Sequence, residues 1–248
     1  MEMRAFLAEA GRQALDAVLP PRCIACGVIV GAGTALCSDC WPGLDLITAP
    51  QCARCGLPFD FDMGADALCG GCAASPPAFD RARAALRYND LSARLIVGFK
   101  RADRTHLLPA FARWLQRAAG PLLEEADLIA CVPLHRRRLI ARRYNQSAML
   151  AQSLARLAGR PVAVDLLARV RATPSQGGLN RNQRFDNLRG AIAVRAHRAA
   201  LVPGRRVLLI DDVFTTGATV EACARVLYRA GAADVDVVTL ARVVRATT

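Results

Sequence analysis

The chain has 248 residues, 53% hydrophobic and 22% charged, which allows a packed domain plus a small module and excludes a disordered or fibrous chain. Aromatic residues make up only 5%, so aliphatic side chains must fill the core. The formal net charge of +12 comes mostly from arginine; it points to anionic partners rather than to a fold, and arginine-favouring codons would give the same excess.

The first predicted element is a short amphipathic helix over 3–18. Leu7, Ala10, Ala14 and Val18 fall at helical spacing, and Pro20-Pro21 stop the pattern. Glu9, Arg12 and Asp16 interrupt its apolar run, so we expect a packing helix rather than a signal peptide or membrane anchor. The expected location is cytoplasmic, without membrane insertion.

Residues 22–75 hold eight of the ten cysteines. They form four C-x-x-C units: Cys23/Cys26, Cys37/Cys40, Cys52/Cys55 and Cys69/Cys72. Two thiolates at that spacing can grip one tetrahedral Zn²⁺ from a tight turn. Gly27 and Gly56 follow the first and third units, where a positive φ lets the backbone turn under a metal. The units predict two structural zinc ions in a double zinc ribbon rather than iron–sulfur clusters. Sequential pairing is the simplest ligand arrangement, and an interleaved one stays open. Cys131 and Cys223 are expected to be small core residues. Composition changes at Ser75-Pro76-Pro77, which divides the chain into a module over 1–75 and a domain over 79–248.

From Phe79 onward the pattern alternates. Strands are expected over 84–88, 128–132, 207–210 and 235–240, and helices over 91–100, 107–119, 146–157 and 220–230. The strands at 128–132 and 207–210 are wholly apolar. This predicts an α/β fold, a mostly parallel sheet with helices on both faces.

The most informative string is Asp211-Asp212-Val213-Phe214-Thr215-Thr216-Gly217-Ala218-Thr219, after the apolar run Val207–Ile210. A helix mouth following such a strand presents free N–H groups and a positive dipole end to an anion. Thr215, Thr216 and Thr219 add hydroxyl donors, and Gly217 lets a phosphate approach the main chain. The two carboxylates cannot bind that phosphate. They are placed to accept hydrogen bonds from sugar hydroxyls.

This string resembles the ribose-phosphate motif of type I phosphoribosyltransferases. The chain as a whole resembles the ComF/GntX family, which joins a double zinc ribbon to a phosphoribosyltransferase-like domain. The cysteine pairs, Tyr88-Asn89, Phe99-Lys100, Val132-Pro133-Leu134-His135, Arg143-Tyr144-Asn145-Gln146 and the stretch Gln176–Asn187 carry the likeness. The family's Arg-Gly-Phe-Asn tract reads Arg142-Arg143-Tyr144-Asn145 here. The resemblance implies that Asp211 and Asp212 bind the ribose 2′- and 3′-hydroxyls of phosphoribosyl pyrophosphate, and that Thr215–Thr219 bind its 5′-phosphate. It implies a pyrophosphate loop at Pro133, Leu134, His135 and Arg136, continuing to Arg137 and Arg138, with Mg²⁺ accompanying the ligand. Residues 171–190, with Gly177-Gly178, Arg181 and Arg184, match the loop that closes over substrate in that fold. Lys100, Asp211 and Asp212 are the candidate catalytic groups for phosphoribosyl transfer to an unidentified acceptor. The resemblance also implies a link to DNA uptake and natural competence, with DNA-uptake or DNA-processing proteins as partners. The alternative is a non-catalytic, single-stranded-DNA-binding competence or repair factor on the same fold.

Overall fold

A computed structural model describes residues 20–31, 35–101, 104–135, 139–140, 144–171, 188 and 190–244. The expected helix over 3–18, the arginines at 136–138, 142 and 143, and the stretch Gln176–Asn187 lie outside these described residues.

Five strands form one parallel sheet: β1 (Ala82–Arg87), β2 (Leu128–Cys131), β3 (Val162–Ala163), β6 (Arg206–Phe214) and β7 (Asp234–Arg242). Their order is β1-β7-β6-β2-β3. Two more strands, β4 (Leu167–Arg169) and β5 (Ile192–Val194), make a separate antiparallel ribbon. In sequence, that ribbon flanks the segment expected to close over substrate. The helices are α1 (Gly70–Ala74), α2 (Asp90–Arg101), α3 (Leu108–Ala119), α4 (Pro121–Glu125), α5 (Gln146–Ala158) and α6 (Ala218–Arg229). None is long and apolar enough to cross a membrane.

Strand periodicity sorts the apolar residues into two layers. Leu208, Ile210, Ile129 and Val238 face Phe111 and Leu115 of α3 and Leu150 and Leu154 of α5. Val207, Leu209, Leu128 and Val235 face Val220, Cys223, Ala224 and Leu227 of α6. The expected parallel sheet with helices on both faces is therefore present. Each fully buried Leu or Phe contributes about 1.5–3 kcal/mol. Cys131 and Cys223 are buried core residues, as expected.

The strand expected over 207–210 is longer than its sequence reading. β6 does not stop at Ile210 but runs through the two aspartates to Phe214, because β7 continues beside it and pairs Asp211 with Thr239, Val213 with Ala241 and Phe214 with Arg242. The carboxylates thus stand within the strand, two residues before its end, rather than closing it.

The cysteine-rich segment is built twice to one pattern. The amide of Cys23 donates to the Val28 carbonyl at 2.7 Å, and that of Cys52 to Leu57 at 2.8 Å. Gly27 N donates back to Cys23 O at 2.8 Å, and Gly56 N to Cys52 O at 2.9 Å. Both glycines have positive φ, 82° and 67°.

The two halves grip the sheet at its β1 edge. Residues 45–47 lie antiparallel to β1: Leu46 bridges Leu86, Ile47 N donates to Ala85 O at 3.0 Å, and Arg87 N donates to Asp45 O at 2.8 Å. The first half adds Cys23, Leu36 and Leu44 to the α3/α5 layer. The second half adds Cys52, Cys55 and Cys72 to the α6 layer. The module therefore straddles the sheet.

This docking separates two glycines that look equivalent in sequence. A Cβ on Gly56 would lie 2.4 Å from the Ala82 carbonyl oxygen, whereas one on Gly27 would meet nothing within 4 Å. Gly27→Ala should cost about 1 kcal/mol for its left-handed backbone. Gly56→Ala should cost at least ~2 kcal/mol more, because backbone must move as well. Denaturant unfolding of the two zinc-loaded variants checks this, and equal losses would contradict the docking geometry.

Candidate functional site

The carboxyl ends of β2 and β6 are neighbours, with Cys131 paired to Ile210. Chain leaves the sheet here twice, at Pro133–His135 and at Thr215–Gly217. Ligands of open parallel sheets bind at such carboxyl ends.

Asp211 and Asp212 are held by different elements. Asp211 Oδ1 accepts from Ser147 Oγ at 3.0 Å and from the Asp212 amide at 2.9 Å. Ser147 is placed by α5, whose N-cap Asn145 accepts from Ser147 N at 3.1 Å and donates through Nδ2 to Val132 O at 3.1 Å. One asparagine thus ties the start of α5 to the end of β2. Asp212 Oδ2 lies 2.9 Å from Lys100 Nζ, with both side chains largely buried. Lys100 lies in the last turn of α2, which opens on a reciprocal cap: Ser92 N donates to Asn89 Oδ1 at 3.0 Å, and Asn89 N to Ser92 Oγ at 2.8 Å. The far end of α2 is tied down by Tyr144 Oη donating to Phe99 O at 2.8 Å and Gln146 Nε2 donating to Lys100 O at 3.3 Å. The family's phenylalanine at the Tyr144 position would lack the hydroxyl for the first bond.

The sequence reading placed Lys100 and both aspartates among the candidates, and the fold brings them together. It did not single out Ser147. The Asn145-Gln146-Ser147 start of an apolar-periodic helix was the available signal, since it fixes which side chain stands two residues past the cap.

Burial, and next the charge of Asp212, push the Asp211 carboxyl up from 3.8 to about 7. Such a group holds its proton longer in the folded chain than in the unfolded one. Its contribution is complete below about pH 4 and is lost as pH climbs towards 7. Asp211→Asn keeps the Oδ1 acceptor without the titration. Relative to the unmodified protein, the variant should gain about 2 kcal/mol or more between pH 5 and pH 8. Urea unfolding at both pH values tests this, and a difference that ignores pH would refute it.

The loop expected to take an anion leads into the start of α6. Gly217 is its N-cap at φ 80°, and no side chain caps its first amides. Thr216 Oγ1 is buried and has no hydrogen-bond partner among the described residues. An unmet donor beside uncapped amides fits a phosphate oxygen. Thr215 is exposed, Thr219 half-buried, and Ala218 is the first, buried residue of the helix. Pro133 is buried, with Leu134 and His135 half-buried beside it, while Arg136 falls outside the described residues.

The eight ribbon cysteines gather as two sets, Cys23/Cys26/Cys37/Cys40 and Cys52/Cys55/Cys69/Cys72, with each set's sulfurs within 4.8 Å of one another. The grouping is sequential, not interleaved. Sulfur–sulfur distances of 3.6 Å for Cys26–Cys37 and Cys55–Cys69 match the edge of about 3.8 Å expected for tetrahedral thiolates around zinc. Amides of Cys55 and Cys69 point at Cys52 Sγ at 3.4 and 3.3 Å, as suits a thiolate. Both sets fit closed structural zinc sites.

Comparison with known proteins agrees with this architecture. The model of the double zinc ribbon domain matches residues 14–73, and that of the phosphoribosyl transferase domain matches 144–247. The molecule is thus a double-zinc-ribbon protein with a phosphoribosyltransferase-like domain. Competence protein F of Haemophilus influenzae is 31% identical over 227 residues, covering 89% of this chain and 96% of that protein. DNA utilization protein YhgH of Salmonella typhi is 36% identical over 199 residues, 77% of this chain and 83% of that protein. YhgH of Escherichia coli K12 is 34% identical over 198 residues, again 77% and 83%. The chain belongs to the ComF/GntX family, that of competence protein F.

Proposed function

We propose that the chain binds phosphoribosyl pyrophosphate with Mg²⁺ at the carboxyl ends of β2 and β6, in a role linked to DNA uptake. The carrying observation is the gathering of Asp211, Asp212 and Lys100 beside the uncapped start of α6 with its unpartnered Thr216 hydroxyl. Ribose 2′- and 3′-hydroxyls donate to Asp211 and Asp212. The 5′-phosphate takes the α6 amides and the hydroxyls of Thr215, Thr216 and Thr219. Pyrophosphate lies toward Pro133–Arg136.

The carboxylate oxygens suit a hard cation held partly through its waters, and Mg²⁺ would neutralise pyrophosphate charge. Lys100 supplies a fixed positive charge at the same place. If transfer occurs, an acceptor atom attacks C1 of the ribose as the bond to pyrophosphate breaks, and pyrophosphate leaves with its electron pair. The protein then acts by positioning and by charge. Thiolate zinc sites suit a reducing compartment, which supports a cytoplasmic location.

A second reading has its own support. Trp41 and Phe61 are 54% and 69% exposed on the cysteine-rich module, beside a chain of net charge +12. Exposed aromatics and arginine suit base stacking and backbone contact with single-stranded DNA. The relatives' names, competence protein F and DNA utilization protein, agree with that chemistry.

Calorimetric titration with phosphoribosyl pyrophosphate and Mg²⁺ tests the first reading, and no heat at millimolar ligand would remove it. Salt-sensitive binding of a labelled single strand that survives Asp211→Ala would assign DNA to a separate surface.

A further inference from the structure

A chain of side-chain contacts runs from the second cysteine set to the anion loop. It begins at Cys55. Arg242, the last residue of β7, is 8% exposed. Its Nη1 donates to Cys55 O at 2.6 Å and its Nη2 to Cys55 Sγ at 3.4 Å. Arg83 of β1 approaches the same knuckle, its Nη1 donating to Ala53 O at 3.0 Å and Ala82 O at 2.9 Å. Four thiolates around Zn²⁺ carry a net charge of about −2, and two arginines from the sheet stand beside them.

The contacts continue on the other side of Arg242. Its guanidinium carbon lies 4.5 Å from the centroid of the Phe214 ring. Phe79 meets that ring edge-on, at 6.0 Å and 86°. Phe214 Cζ lies only 2.8 Å from where a Cβ on Gly217 would stand. Val243 N also donates to Phe214 O at 2.9 Å, locking the strand ends together. Gly217 caps α6 and so sets the height of its free amides. The Phe214 ring is therefore a shim under the anion loop, and Arg242 fixes its position. Arg242 Nε has no hydrogen-bond partner among the described residues. The Cys55 bonds and the ring stack set the orientation of this side chain.

We propose that Arg242 is a positioning residue for the anion loop, and that through it metal at the second cysteine set and an anionic ligand at the loop stabilise each other. The proposal rests on the phosphate-binding reading of that loop. It follows from a shared rigid group: a guanidinium that leaves Cys55 also leaves Phe214. Coupling between two sites is reciprocal. Outer contacts of this kind typically change metal affinity by about 10- to 100-fold. The first cysteine set has no such bridge to the loop among the described residues.

The test uses the full-length, zinc-loaded protein. Zinc release to a chromophoric chelator is followed with and without phosphoribosyl pyrophosphate and Mg²⁺, and affinity is measured by calorimetry. In the unmodified protein, ligand should slow release of one of the two zinc equivalents several-fold. Arg242→Lys keeps the charge but loses the planar fork. It should speed that release several-fold, raise Kd about tenfold, and abolish protection by ligand. Phe214→Leu breaks the stack but leaves both Cys55 bonds, so it should abolish protection without speeding ligand-free release. Arg83→Lys touches the knuckle but not Phe214, so it should speed release with Kd unchanged. Protection that persists in both Arg242→Lys and Phe214→Leu, in protein that binds ligand, would overturn the proposal alone. No ligand binding by the unmodified protein would overturn the functional reading, and the proposal with it.

Discussion

Asp212→Asn is expected to weaken binding of phosphoribosyl pyrophosphate by about 10- to 100-fold. An ionised carboxylate accepting from sugar hydroxyls makes bonds worth about 1.5–3 kcal/mol, and each ~1.4 kcal/mol is tenfold in Kd. The substitution also removes the partner of Lys100, now 2.9 Å from Asp212 Oδ2. Cys40→Ser is the matched comparison. Cys40 belongs to the first set, whose layer is that of α3 and α5 rather than of Phe214 and α6. In protein that remains folded, Cys40→Ser should leave Kd within about threefold. Equal losses in calorimetry would mean that affinity follows general integrity rather than this carboxylate.

Zinc removal should have the largest effect on stability. Structural zinc in small cysteine sites contributes about 10–16 kcal/mol of binding energy, as much as the whole stability of a typical domain. Here the loss would not stay in the ribbon. Cys23 is part of one core, and Cys52, Cys55 and Cys72 are part of the other. Stripping the metal leaves these four buried sulfurs without their ligand inside the two cores. Metal analysis should find two zinc ions per chain. Treatment with a strong chelator should lower the melting temperature of the whole protein by at least ~10 °C, at the usual 2–4 °C per kcal/mol for a chain of this size. A chelated protein that melts unchanged, or a preparation without zinc, would count against this account.

Much of the molecule was legible because its signals are local. Spacing within C-x-x-C sets a bite, and positive-φ glycines at 27 and 56 follow from the turn beneath it. The apolar run Val207–Ile210 followed by acids, threonines and glycine describes a strand, a sugar contact and a helix mouth within one stretch of chain. What escaped depends on partners distant in sequence. Polar Asp211 and Asp212 looked like the end of a strand, yet pairing with β7 carries β6 on to Phe214. Pairing of Asp211 with Ser147 and of Asp212 with Lys100 requires α2 and α5 to meet at one sheet end. The β4–β5 ribbon joins two strands of three residues each across the basic, amide-rich stretch, too short for a periodicity to show. Arg242 reads as one more arginine in an arginine-rich chain. Only its placement against Cys55 and Phe214 sets it apart.

The strip at residues 45–47 has a bearing on how copies of the chain can meet. It occupies the outer side of β1, and the strand at the opposite margin, β3, has only two residues. Neither margin gives a neighbouring molecule a long row of open amides and carbonyls to zip onto. Self-association through a continuous intermolecular sheet is thereby disfavoured, and with it the growth of fibres from stacked copies of this aliphatic chain.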